Sequence, residues 1–164
     1  GGGYSYTFDL SMNAAGAFSA DWQGFFRFEN TATQYKYTSQ FYSQFTETHS
    51  GQDLKGGQAG NYVHIMTPAD PADFYKGGTV TDEGFYRVIV KGDAGAQLGV
   101  IDWDFSFRLS GNATNERLSV NNCHYFYRDG YIQFEDQAGT KMRFDYFCDH
   151  YTYSVNGTVV LTQN

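Results

Sequence analysis

At 164 residues the chain fits one domain, long enough to bury about two thirds of its extended surface. Aromatic residues make up 19%, with 14 Tyr and 15 Phe, a bias that favours strands over helices. A formal net charge of −7 with scattered Lys and Arg argues against nucleic acid or an anionic membrane as partner, and no apolar run approaches the roughly 20 residues of a membrane helix.

The chain opens Gly1-Gly2-Gly3 without methionine. Residues 1–3 suit a flexible tether behind a cleaved export signal or a lipidated cysteine, and equally a cloning remnant. From Tyr4 to Met12 apolar and polar residues alternate without interruption, and the even positions continue through Phe18, Ala20, Trp22, Phe26 and Phe28. Residues 4–12 and 17–29 therefore read as a first hairpin around Asn13-Ala14-Ala15-Gly16. Asp9 and Asp21 fall close together on its wet face, where two acids are more often solvated than catalytic.

A third strand is expected from Thr33 to about Thr46, with Tyr35, Tyr37, Phe41 and Phe45 in phase. Tyr42 breaks the alternation, and on the polar side near Gln40 and Gln44 it is the kind of ring that stacks on a sugar. The glycine-rich run from Glu47 to Gly60 reads as loop, followed by a short strand from Tyr62 to Met66. Asp70 as N-cap, Pro71 at the first helical position and Gly77 at the end predict one short helix near 71–76. It would carry Phe74 and Tyr75 beside the longest irregular segments, where binding sites concentrate.

Phe85–Lys91 and Leu98–Leu109 are strands, the second with Ile101, Trp103, Phe105, Phe107 and Leu109 in strict alternation. Asp102 and Asp104 project from one side and invite a general acid and base pair or a calcium site. They lack the spacing of a calcium loop, and Arg108 is a plausible ion-pair partner. Ser110–Asn115 reads as a turn.

The stretch Leu118–Cys148 reads as three strands with two written turns. Asp129-Gly130 suits a type I′ turn, which would set Tyr127 opposite Ile132, Tyr125 opposite Phe134 and His124 opposite Glu135. Gln137-Ala138-Gly139 suits a three-residue loop that sets Phe134 opposite Met142, Ile132 opposite Phe144, Glu135 opposite Lys141 and Gln133 opposite Arg143. In that register Cys123 and Cys148 lie about 26 Å apart along the strands, so two unbridged thiols are expected rather than a disulfide. Tyr151–Gln163 closes the chain as a hairpin around Asn156-Gly157. Asn112-Ala113-Thr114 and Asn156-Gly157-Thr158 both match a glycosylation acceptor, although the hairpin alone accounts for Asn156.

The four histidines, His49, His64, His124 and His150, show no metal-ligand spacing; Asp149 and His150 should point to opposite faces if their strand is regular. No nucleophile elbow, phosphate loop or dinucleotide fingerprint occurs. Neither a metal nor a cofactor is expected. Length and up-and-down order resemble lipocalin-like barrels, but the Gly-x-Trp signature is absent, since Ala20-Asp21 precedes Trp22. No family follows from the sequence.

Residues 1–164 thus read as a single all-β antiparallel domain of about ten strands. An up-and-down, calycin-like β-barrel is favoured and a two-sheet β-sandwich is the alternative. The expected function is an exported, non-catalytic binding module, periplasmic, secreted or at the cell surface. Its ligand would be an amphipathic small molecule or a glycan, and the candidate ligand-binding residues are Tyr42, Tyr62, Phe74, Tyr75 and Trp103. A structural or adhesive surface domain, and a polysaccharide-acting enzyme using Asp102 and Asp104, are the alternatives.

Overall fold

A computed structural model describes residues 1–14, 17–49, 52–73, 76–94, 99–115 and 127–163. They form ten antiparallel strands in one sheet, each paired with its neighbours in sequence. The strands are β1 (Gly2–Ala14), β2 (Phe18–Asn30), β3 (Tyr35–His49), β4 (Gln52–Pro68), β5 (Gly78–Asp93), β6 (Val100–Asn115), β7 (Tyr127–Asp136), β8 (Lys141–Tyr146), β9 (Tyr151–Val155) and β10 (Thr158–Gln163). The all-β, antiparallel, ten-strand expectation is met, but the favoured barrel does not close. Among the described residues β1 pairs only with β2 and β10 only with β9, so both are edges of the sheet. Among the described residues every substantial strand contact lies between sheet neighbours, so no second layer makes a sandwich either.

Alternation splits the sheet into two unlike faces. One carries Tyr4, Tyr6, Phe8 and Leu10 of β1 and their register partners Phe28, Phe26, Gly24 and Trp22 of β2. It continues through Tyr37 and His64, and through Tyr62, Gly84 and Leu109. The buried apolar residues Ala20, Leu54, Met66, Val80 and Ala113 all lie on this face. The opposite face is mainly polar and charged, with Phe25, Tyr42, Val63, Ile65, Phe85, Ile89 and Tyr131 interspersed.

Glycines explain why a stretch that reads as loop folds as strand. Within β4, Gly56 pairs with Phe45 and Gly60 with Phe41, and each ring lies over its glycine. A Cβ at Gly56 would fall 2.4 Å from the Phe45 ring, and one at Gly60 2.7 Å from the Phe41 ring. Phe8 covers Gly24 in the same way. The bare backbone that weakens a strand on its own is here a seat for a cross-strand ring, so residues 52–68 are continuous strand rather than the expected loop over 47–60.

The two turns expected within Leu118–Cys148 part company. The Gln137-Ala138-Gly139 turn forms as read: Gly139 has φ +83°, Asp136 and Thr140 bond through their backbones, and Asp136 Oδ1 accepts from Ala138 N and Thr140 N. The four predicted β7–β8 pairs follow. Asp129-Gly130, by contrast, lies inside β7 and makes a bulge instead of a hairpin, because Thr114 pairs with Asp129 and Asn115 with Tyr127, leaving Arg128 extra. Gly130 adopts φ +102° where the chains approach so closely that a Cβ would fall 2.3 Å from Ala113 Cα. Ile132, Phe134 and Glu135 therefore pair with Gly111, Leu109 and Arg108 of β6, and Tyr127 with Asn115 instead of Ile132; Tyr125 and His124 lie outside the described residues. The expected turn over Ser110–Asn115 is likewise strand.

β8 ends at Tyr146, and Phe147–His150 is a turn closed by Phe147 N donating to His150 O. Cys148 sits in that turn and is disulfide-bonded. The sequence holds one other cysteine, Cys123, which lies outside the described residues. The expectation of two unbridged thiols is overturned, because it rested on an Asp129-Gly130 hairpin that does not form and on a strand that continued through Cys148. The same turn lets His150 Nδ1 lie 2.7 Å from Asp149 Oδ1, instead of on the opposite face.

The final hairpin is as expected, with Asn156 at φ +48° and Gly157 at φ +81°. Of the helix expected near 71–76, Pro71 and Ala72 lie in a turn and Asp73 N donates to Asp70 O, while Lys76 N donates to Asp73 O; Phe74 and Tyr75 lie outside the described residues. Asp70 still caps: its Oδ1 accepts from Ala72 N at 2.9 Å. Gly2 and Gly3, expected as tether, pair with Asn30 and Glu29 in the sheet.

Candidate functional site

On the apolar face a row of rings crosses four strands. Tyr4 stacks on Phe28 at 4.8 Å, Phe28 meets Tyr37 at 4.8 Å, and Tyr37 meets Tyr62 at 6.0 Å between centroids. The row follows from register: each residue takes its place opposite, or one step diagonal to, the preceding ring.

The row ends on a polar node. Tyr62 Oη donates a hydrogen bond to Asp82 Oδ1, and His64 Nδ1 lies 2.8 Å from the same oxygen and 3.4 Å from Tyr62 Oη. Asp82 is an acid on the apolar side of β5, its side chain 5% exposed, while His64 keeps 30% of its side chain in solvent. Two donors on one carboxylate oxygen compensate the burial of Asp82. Burial first, and then the bond to Asp82, push the Tyr62 hydroxyl well above the ordinary tyrosine pKa.

Beside the node a groove of about 520 Å³ opens between the rings of Tyr4, Phe28, Tyr35 and Tyr37 on one side and His64 and Met66 on the other. Its walls are mainly aromatic, and of the node His64 alone reaches its lining, an arrangement that suits a small-molecule site.

Of the candidate residues read from the sequence, the structure brings Tyr62 alone to the node, behind His64 and outside the lining of the groove. Trp103 shares the apolar face and is 57% exposed, but it lies six residues along β6 from Leu109, whose row includes Tyr62. That is about 20 Å along the strand. Tyr42 projects from the polar face, 48% exposed. Phe74 and Tyr75 lie outside the described residues.

The paired aspartates are engaged as ion pairs, with partners other than the expected Arg108. Asp104 takes both Arg87 Nε and Nη2, at 3.1 and 3.0 Å, and Asp102 meets Lys91 Nζ at 3.0 Å. Asp9 pairs with Gln23 and Asp21 with Ser11, and Asp21 Oδ2 accepts from Gln44 Nε2. Among the described residues no group of three His, Cys, Asp or Glu side chains could hold a metal ion.

His64 and Asp82 were not singled out by sequence reasoning. The signal was available: with β5 started at Gly78 instead of Phe85, Val80, Asp82, Gly84, Tyr86, Val88 and Val90 share one face, and Asp82 is its sole acid.

The fold and site define a single-layer antiparallel β protein with one ring-paved face. Comparison with family models, with curated proteins and with solved structures finds no match for this chain.

Proposed function

We propose that this protein is a non-catalytic binding module for an amphipathic small molecule, received by the groove on the ring-paved face. The observation that carries the reading is the union of that groove with the Tyr62–Asp82–His64 node. A flat or aliphatic body would lie against Tyr4, Phe28 and Tyr37, and a hydrogen-bonding head would reach His64. The buried Asp82 and the net charge of −7 favour a neutral or cationic head over an anionic one. Tyr62, held in its protonated form, is a poor nucleophile and a poor base, which favours binding over turnover. The disulfide at Cys148 supports an exported protein, because such bonds persist in oxidising compartments.

The test is fluorescence titration with N-phenyl-1-naphthylamine, a neutral amphiphile whose emission rises in apolar surroundings. Saturable binding is expected in the micromolar range, weakened about tenfold by Tyr37→Ser, which corresponds to about 1.4 kcal/mol. Tyr4→Ser, on the edge strand, gives a second reading with less risk to the fold. Absence of saturable binding, or binding that both variants leave unchanged, refutes the proposal.

A further inference from the structure

The polar face carries rings that the alternation of the strands does not call for: Phe25 on β2, Tyr42 on β3, Phe85 on β5 and Tyr131 on β7, the last covered by the Arg143 guanidinium at 3.9 Å. Tyr42 and Phe85 are 48% and 40% exposed, so packing does not account for them. Register places Phe25, Gln40, Asn61, Phe85, Arg108 and Glu135 in one straight row across β2 to β7. Six strands at about 4.8 Å spacing make a row of about 24 Å, with the two phenylalanines about 14 Å apart. Two adjoining grooves follow it, of about 380 and 830 Å³, and Phe25, Gln40, Asn61 and Phe85 line both.

Two features hold this surface ready. Tyr42 Oη donates to Gln44 Oε1 at 3.0 Å, and Gln44 Nε2 donates to Asp21 Oδ2 at 3.1 Å, which tethers the tyrosine ring. Asn61 Oδ1 accepts from Phe85 N at 3.1 Å, which fixes the orientation of its amide between the rings. A trough that sets two neutral amides between two flat rings and ends on Arg108 and Glu135, long and shallow rather than enclosed, suits a chain ligand with apolar faces and hydroxyl edges. We infer that the row from Phe25 to Glu135, flanked by Tyr42, binds a neutral polysaccharide of equatorially linked pyranose units. The C–H faces of the sugars would stack on Phe25, Tyr42 and Phe85, and their hydroxyls would bond to Gln40 and Asn61. The acidic chain disfavours a polyanionic glycan.

This site lies on the face opposite the amphiphile groove, so the two can fail separately. Isothermal titration calorimetry with cellohexaose, mannohexaose and chitohexaose is expected to show at least one binding with a dissociation constant below about 1 mM. Tyr42→Ala and Phe85→Ala should each weaken it about tenfold, while Tyr37→Ser, on the other face, leaves it unchanged. The inference is overturned if none of the three binds, if both polar-face variants bind as the parent does, or if Tyr37→Ser abolishes binding. Sedimentation of the protein alone covers a further outcome: a self-association lost in Tyr42→Ala would assign the face to a second copy and also overturn it.

Discussion

Asp82 and Asp104 sit on neighbouring strands and face opposite sides of one sheet, and their surroundings could hardly differ more. Asp82 is buried among rings and takes a hydroxyl and an imidazole nitrogen on a single oxygen. Asp104 is solvated and takes a guanidinium on both oxygens. In the sequence Asp104 is the conspicuous one, two residues from Asp102 in a clean alternating strand, while Asp82 is one of four polar residues in Thr79–Glu83. The contrast teaches that spacing marks where acids can meet, whereas burial decides which acid constrains its neighbours. A water-exposed pair loses little when broken, because solvent replaces each partner. An acid in an apolar layer has no such substitute.

The sharpest test of that contrast is Asp82→Ala. It strands the Tyr62 hydroxyl and His64 Nδ1 in a part-buried site, and we expect a loss of about 2–3 kcal/mol in stability by urea denaturation. A loss indistinguishable from zero would mean that the node is incidental. Next in size is Tyr62→Phe, which keeps the ring and removes the donor, for an expected cost of about 1 kcal/mol at neutral pH. This variant also changes the pH profile. The folded-state pKa of Tyr62 is raised, so the unfolded chain gives up the proton first once pH exceeds about 10. The contribution of the hydroxyl is fully present below that value and is lost as pH rises further. Urea midpoints measured from pH 8 to 11 should fall less steeply for Tyr62→Phe than for the parent; parallel curves would contradict the raised pKa.

How much of this was legible in the sequence depended on whether one local rule had one outcome. Gly139 follows Gln137-Ala138 between residues already in phase, and the three-residue loop was the sole way to keep Phe134 and Met142 on one face. Gly130 offered two outcomes, since a positive φ serves a hairpin or a bulge equally well. The choice was made by β6, which runs on to Asn115 and pairs with the very residues assigned to the turn. The glycines of β4 misled for a related reason. Their seats under Phe41 and Phe45 exist only once β3 is aligned alongside, a tertiary fact that no local propensity encodes. Closure failed similarly: ten strands with local turns describe an open sheet as well as a barrel, and nothing along the chain says whether β1 meets β10. The candidate site was half legible. The ring of Tyr62 and its alternation with His64 stand in the sequence, but Asp82 shares their face only once β5 starts at Gly78.

The smallest expected effect completes the contrast from the exposed side. Arg87 holds the Asp104 carboxyl below the usual aspartate range, so the pair contributes above the ordinary carboxylate pKa of about 4 and is lost as pH falls through the lowered value. Both groups remain solvated, and mobile ions screen such a pair at moderate ionic strength. Asp104→Ala should therefore shift the urea midpoint at pH 7 close to the limit of detection in physiological salt, with any residual difference vanishing in 1 M sodium chloride. Asp82→Ala, whose partners are drawn out of solvent, should keep its full deficit in both conditions. If the two variants responded to salt alike, or if Asp104→Ala matched the loss of Asp82→Ala, burial would not be what separates them, and the Tyr62–Asp82–His64 node would lose its special standing as the polar end of the ring-lined groove.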